Sequence, residues 1–318
     1  MRRNNGLERE LDEAQSRRLC LWTANKSRQR TLARRARAGE LQCVYKGLYV
    51  RPSYWQGLDA AERYRHIIRS LAAIHPQWVF CEMTAAAIFG INESTRHMKL
   101  VNIAVERNRY MHDYGLIRHH YMNVVQYEIV DGVRVTPLIR TVFDCMRKQS
   151  FPDALAIAES ALRGRVVSKR TLQQHFAAMR GRGKAEALLA LRYATGRTEN
   201  GGEAYALGVM LNERFMEPTL QEEMVYPFDL SHRDRVDFAW HTADGRLIVA
   251  ELDGRVKYRD KTMFRDGDLS ATVIAEKERE ERIRLVADEL VRFSFREAME
   301  RTPLVRKLVK AGVPRTEA

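Results

Sequence analysis

The chain has 318 residues, 45% hydrophobic and 30% charged, enough for two or three soluble domains, each with its own core. A net charge of +13 and a pI near 9.8 point to a polyanionic partner, because clustered Lys and Arg gain by displacing counterions from phosphates. The basic start MRR has no apolar signal segment behind it, and the most apolar stretch, 70–92, is broken by His75, Pro76 and Glu82, so a cytoplasmic protein off the membrane is expected.

Residues 1–51 hold 13 Lys and Arg against 5 Asp and Glu, a net of +8. Within them SRQRTLARRARAG, from Ser27 to Gly39, reads as a basic helix, with Ser27 or Thr31 as N-cap and Gly39 as the left-handed stop. Two short strands then turn at Lys46-Gly47. A basic helix followed by a small hairpin is the layout of a winged helix-turn-helix, which predicts a DNA-binding domain over 1–52. Arg28, Arg30, Arg34, Arg35 and Arg37 supply several side chains on one helix face for phosphates or guanine edges, and Lys46 tips the wing. The competing reading is a solvated basic helix that only aids solubility.

A mixed α/β domain with a helical connector is expected over 53–198. Helices are predicted over 58–74 and 81–90, and strands over 99–105, 116–122 and 127–135, the last turning at Asp131-Gly132. Thr136-Pro137 is expected to open a helix, along which Arg140 and Asp144 pair four apart. His119 and His120 are neighbours on a strand and point to opposite faces, which argues against a shared metal. Connector helices follow over 151–163, 168–178 and 185–195, and the glycine-rich stretch 196–202 is the expected domain boundary. Cys20, Cys43, Cys81 and Cys145 match no zinc spacing and read as reduced thiols.

The order of TAAAIFGI (84–91), VTPLIRTVFD (135–144) and ALAIAESALR (154–163) behind the basic wing resembles the AbiEi family, antitoxins of type IV toxin–antitoxin systems. The likeness covers roughly 10–180. It implies a winged-helix repressor of its own operon, bound to double-stranded DNA, with a cognate toxin encoded nearby. One departure is CEM at 81–83, where that family has Ser-His ahead of the alanines.

In the last part, 199–318, an amphipathic helix from Glu203 to Phe215 precedes a strand over 220–226 and the hairpin VDFAWHTADGRLIVAELDG (236–254). LIVAEL (247–252) is an apolar run interrupted only by Glu251, as a doubly covered central strand should be. Asp237 on one strand, with Glu251 and Asp253 on the same face of the next, converge at a sheet's rim, where mutual repulsion calls for a cation. Mg²⁺, an oxygen-seeking ion, suits Asp237, Glu251 and Asp253 as ligands. Lys257 is placed to orient a water or steady charge on a phosphate. The bland alternatives are a turn at Asp253-Gly254, a satisfied Glu251, and Asp237 paired with Arg235 or Arg255.

Acid on one strand and acid-x-acid on the next resembles the P-D-(D/E)-x-K nuclease superfamily near the very short patch repair endonucleases. This likeness implies a restriction-endonuclease-like fold, metal-binding carboxylates, and assistance from the helix acid Glu203. Asp253 stands where the signature lysine falls, so Lys257 or Lys277 is expected to supply that function. The run 276–284 reads as a solvated helix face with Glu278–Arg282 and Glu280–Arg284 pairs. The whole is expected to be an α+β or α/β multidomain protein: a DNA-binding regulator first, a Mg-dependent DNA endonuclease as the alternative.

Overall fold

A computed structural model describes residues 5–107, 111–165, 167–226, 229–253 and 269–316. The protein is mixed α+β with several sheets, in two compact units, Met1–Cys145 and Met146–Ala318.

The first unit opens with α1 (Asn5–Ser16), α2 (Lys26–Arg37) and the hairpin β1 (Gln42–Tyr45) and β2 (Leu48–Val50). Leu7 and Leu11 of α1, Leu32 of α2, Leu41 and Tyr49 share a small core. The N-cap of α2 is Asn25, whose side chain accepts from the Arg28 amide at 3.0 Å. Ser27 and Thr31 lie inside the helix, because an acceptor is already available before Lys26. Gly39 does take the left-handed conformation at φ +77°, and the Glu40 amide closes onto the Arg35 carbonyl at 3.1 Å.

After α3 (Pro52–Gly57) and α4 (Ala60–Ile74) comes a five-stranded sheet in the order β5-β4-β3-β7-β6. Its strands are β3 (Val79–Phe80), β4 (Val101–Glu106), β5 (Ile117–Met122), β6 (Glu128–Val130) and β7 (Val133–Val135), with α5 (Glu82–Ile88) after β3. Tyr64, Ile68 and Leu71 of α4 pack on Phe80, Ile103, Ile117 and Val135. The β6–β7 turn holds both Asp131 (φ +52°) and Gly132 (φ +73°) left-handed, as a tight hairpin demands. His119 meets Asp113 at 3.2 Å, whereas His120 meets Glu82 at 2.7 Å and Asn102 at 2.9 Å, as strand alternation requires. In α6 (Leu138–Met146) Arg140 pairs with Asp144 at 2.5 Å. Thr136 does not cap that helix: its hydroxyl meets that of Thr141, and the Glu128 carboxylate accepts from the Leu138 amide at 3.0 Å.

The second unit carries α7 (Phe151–Arg163), α8 (Lys169–Ala178), α9 (Lys184–Tyr193) and α10 (Gly201–Asn212). Then come β8 (Thr219–Tyr226), β9 (Asp229–His241), β10 (Leu247–Asp253), α11 (Leu269–Arg284) and β11 (Glu289–Ser294), followed by α12 (Phe295–Glu300) and α13 (Thr302–Ala311). Strands β8, β9 and β10 form an antiparallel meander, and β11 joins β10 in parallel, giving the order β11-β10-β9-β8. A parallel neighbour needs a long crossover, and α11 lies within it. Ile248, Val249 and Ala250 are fully buried in the central strand, and Ile283 and Ala287 pack on Val236 and Val249.

The connector helices belong to this unit, so the division falls after Cys145 and the glycine-rich stretch is no boundary. Two contacts explain it. Gly208 of α10 sits so close to Pro152 of α7 that an added Cβ would lie 2.5 Å from the Pro152 Cα. Glu159 of α7, fully buried, accepts from the amides of Thr195 (2.5 Å), Gly196 (3.0 Å) and Thr198 (3.1 Å), and from both threonine hydroxyls. Nor is α10 amphipathic: Glu203 through Met210 are all buried, with Pro152 against Gly208, and Leu252 and Phe295 near Gly202.

Three cysteines are buried and Cys43 is exposed, all as free thiols. No described helix is long and apolar enough to cross a membrane.

Candidate functional site

Two places gather the residues singled out in the sequence, one in each unit. In the first unit, the five arginines of α2 divide by role. Arg28 binds the Glu10 carboxylate at 2.8 Å and Arg35 binds Glu40 at 3.1 Å, both half-buried. Arg51 likewise ties the hairpin's end to Glu8 (2.7 Å) and Asp12 (2.8 Å) of α1. Arg30, Arg34 and Arg37 are exposed, and among the described residues none has an acid within ion-pair reach. Spaced four and three apart, they lie along one face over roughly 10 Å of helix. Lys46 is exposed at the hairpin turn beside Gly47 (φ +78°).

In the second unit, a cleft of about 370 Å³ opens at the rim of the four-stranded sheet. Its lining includes Gln221 of β8, Asp237 of β9, Glu251 and Asp253 of β10, and Arg279 of α11. Asp237 accepts the Leu252 amide at 2.8 Å and the Gln221 side chain at 3.3 Å. The same Gln221 amide reaches Glu203 at 2.9 Å, so it bridges the two acids. Gln221 does this from a left-handed backbone, φ +54° within a strand, a strained conformation of the kind that functional sites retain.

Glu203 also accepts from the Glu199 amide (2.7 Å) and from Asn200 (2.5 Å), the residue that caps α10. Burial and the neighbouring Asp237 charge push the Glu203 carboxyl up to about 8, against the pull of Arg163 and the Asn200 and Gln221 side chains. Burial likewise raises Asp237, with the Glu251 charge adding to it and the Leu252 amide opposing it. At neutral pH Glu203 therefore holds a proton in the folded protein and none in the unfolded chain. Its contribution is fully present below about 4.5 and is lost as pH rises to about 8, at up to roughly 1.4 kcal/mol per pH unit. Urea midpoints taken from pH 5 to 8.5 should fall more steeply for wild type than for Glu203→Gln. Parallel curves would remove the assignment.

Glu251 is 6% exposed, and its counter-charge is built into the protein. Arg279 grips both its oxygens, and Arg292, its register partner on β11, reaches it at 3.3 Å. Arg279 is steadied in turn by the Arg235 carbonyl at 2.8 Å, and Arg292 by Glu276 at 2.5 Å. Burial works against the Arg279 charge, yet Glu251 holds that guanidinium above its ordinary range. The 276–284 run is thus not simply a solvated face. Arg282 turns to Asp234 at 2.8 Å instead of Glu278, while Glu280–Arg284 pairs as expected at 2.9 Å. Asp237 does not pair with Arg235, which binds Glu199 instead.

Lys277 is exposed and lies 4.0 Å from Glu281, away from the cleft lining. Lys257 and Arg255 lie outside the described residues. Hard oxygen donors suit a divalent ion. As arranged, however, both Glu251 oxygens carry guanidinium donors, and among the described residues no three His, Cys, Asp or Glu side chains gather to hold a metal.

Sequence reasoning missed Arg279, Arg292 and the bridging role of Gln221. One signal was available for Arg279: it stands four before the buried Ile283, and so shares the sheet-facing side of α11.

The fold and cleft define a two-unit α+β protein with an acid–guanidinium site at the rim of a mixed four-stranded sheet. No protein-family model matches the chain. It is similar to two uncharacterized proteins of Mycobacterium tuberculosis, MT2308 of strain CDC 1551 / Oshkosh and Rv2248 of strain ATCC 25618 / H37Rv. Each is 30% identical over 194 residues, spanning 58% of this chain and 68% of the relative. The chain belongs to the family of these two mycobacterial proteins.

Proposed function

We propose that this protein is a DNA-binding transcriptional regulator of the type IV antitoxin kind, with α2 as the DNA-contacting helix and Lys46 on the backbone beside it. The observation that carries this reading is the stripe of Arg30, Arg34 and Arg37, exposed and without acid partners among the described residues, while Arg28 and Arg35 are committed to Glu10 and Glu40. Three cations left to solvent on one face gain most from a polyanion, because each phosphate neutralised releases a counterion. The test is footprinting on the fragment upstream of the protein's own gene. The triple Arg30→Ala, Arg34→Ala, Arg37→Ala variant should lose protection, and its log affinity against log salt slope should fall by about 2–3. Protection that persists in that variant would remove α2 from the interface. A nucleotidyltransferase-like toxin encoded in the neighbouring reading frame would favour this reading.

A second reading comes from the acids lining the cleft: a Mg-dependent DNA endonuclease in which Asp237, Glu251 and Asp253 would hold the ion once Arg279 releases Glu251, with Gln221 and Glu203 flanking it and the basic helix selecting the site. The helix, three-stranded meander, crossover helix and parallel fourth strand support it, as does the facing of Asp237 and Glu251 on adjacent strands. The ion would act as Lewis acid on the phosphodiester. Supercoiled plasmid should be nicked with Mg²⁺ or Mn²⁺, and not by Asp237→Ala or Glu251→Ala. Plasmid left intact by wild type under each metal would end this second reading and leave the regulator standing.

A further inference from the structure

A second basic segment lies far from α2. Residues 163–197 contain nine Lys and Arg against one acid, Glu186, a net of +8 that matches the whole N-terminal 51 residues. The rest of the chain is then net −3, so the protein's excess charge sits in two segments, one in each unit. Such a concentration has no folding purpose of its own, since like charges crowded together oppose folding.

The fold draws much of this charge to one end of the α7–α8–α9 bundle. The Lys169 ammonium, at the start of α8, donates to the carbonyls of Arg192 (2.7 Å) and Ala194 (2.8 Å) at the end of α9. The 195–198 turn is held against α7 by Glu159, and Arg163 donates to the Thr198 carbonyl at 2.8 Å. Arg170, Arg192 and Arg197 therefore emerge from three neighbouring elements. All three are exposed, and none has an acid within ion-pair reach among the described residues. Two residues past Arg197 stands Glu199, which lines the acidic cleft, so the basic surface borders that cleft within the same unit.

We propose that this end of the bundle is a second nucleic-acid surface, on which Arg170, Arg192 and Arg197 grip the phosphate backbone of duplex DNA independently of sequence. The inference rests on the reading of the protein as DNA-binding, and extends it to a unit outside the basic wing. Guanidinium groups suit the task, being permanently charged and able to fork onto phosphate oxygens. A surface of this kind holds a duplex beside the cleft, while α2 contacts DNA through a different unit.

The test measures binding of the full-length protein to a duplex of about 30 base pairs across a salt series. Four proteins are compared: wild type, the α2 triple alanine variant, the triple Arg170→Ala, Arg192→Ala, Arg197→Ala variant, and the two combined. The second triple variant should keep the wild-type melting temperature and lose affinity severalfold, with the salt slope reduced by about 2–3. The corresponding triple lysine variant should restore the slope, which a merely structural role would not do. The α2 variant should keep weak, salt-sensitive binding that disappears in the combined variant. Wild-type affinity and slope in the Arg170/Arg192/Arg197 variant would overturn the inference while leaving the α2 reading intact. Absence of any duplex binding by wild type would overturn both.

Discussion

Arg279→Ala is expected to destabilise the second unit by about 3 kcal/mol, because it strips the principal counter-charge from a carboxylate that is almost fully buried. Arg292 alone, at 3.3 Å and already drawn to Glu276, cannot replace a two-pronged grip. The double variant Arg279→Met with Glu251→Gln should recover most of the loss, since an apolar side chain and a neutral amide no longer leave a buried charge unpaired. Urea denaturation of wild type, both single variants and the double supplies the coupling energy. A single Arg279→Ala variant within 1 kcal/mol of wild type would mean that water already solvates Glu251. The cleft would then be far more open than its packing indicates.

Glu159→Ala should be comparably damaging, at about 3–5 kcal/mol. Removing the carboxylate, which itself has no exposure, leaves three amide donors and two hydroxyls of 195–198 without their acceptor, those of Thr198 fully buried. The effect should reach the cleft. The freed turn leads directly to Asn200, whose side chain caps α10 and holds Glu203. Amide exchange at Thr195, Gly196 and Thr198 should therefore quicken together with exchange at Glu203. If stability drops while those amides stay protected, another acceptor has taken over and Glu159 is not what fixes the turn.

The two variants bear on how a carboxylate is kept inside a protein. Glu251 is balanced by guanidinium groups, Glu159 by main-chain donors, and Glu203 by holding a proton. Each solution avoids the same desolvation penalty. In Glu203 burial and the Asp237 charge push the carboxyl up to about 8.

Much of the local architecture was legible in the sequence. Gly39 and Gly132 marked turns because few other residues take a left-handed backbone without strain. Asp131-Gly132, the apolar run at 247–252 and the Arg140–Asp144 spacing each specified a structure that depends on neighbours in the chain. The meeting of Asp237 and Glu251 was also legible, because a hairpin fixes which positions face one another. What failed were inferences from composition. Seven residues rich in glycine and polar groups read as a boundary, yet a buried glutamate 37 residues before the first of them binds Gly196 and Thr198. Charged residues at 276–284 read as a solvated face, yet two of their arginines turn toward acids on strands more than 25 residues away.

The sequence alone thus determined the short-range elements, the basic helix with its following hairpin, and the acids at the second unit's hairpin, since period, turn chemistry and charge act within a few residues. Beyond the four-apart helix pairs Arg140–Asp144 and Glu280–Arg284, only the tertiary structure decided which arginine serves which acid. It separated Arg28 and Arg35, tied to carboxylates, from Arg30, Arg34 and Arg37, left to solvent, and it brought Arg279 and Arg292 to Glu251. The reason is physical: the energy of a charge depends on burial and on partners remote in the chain, and neither is encoded in the spacing of its own segment.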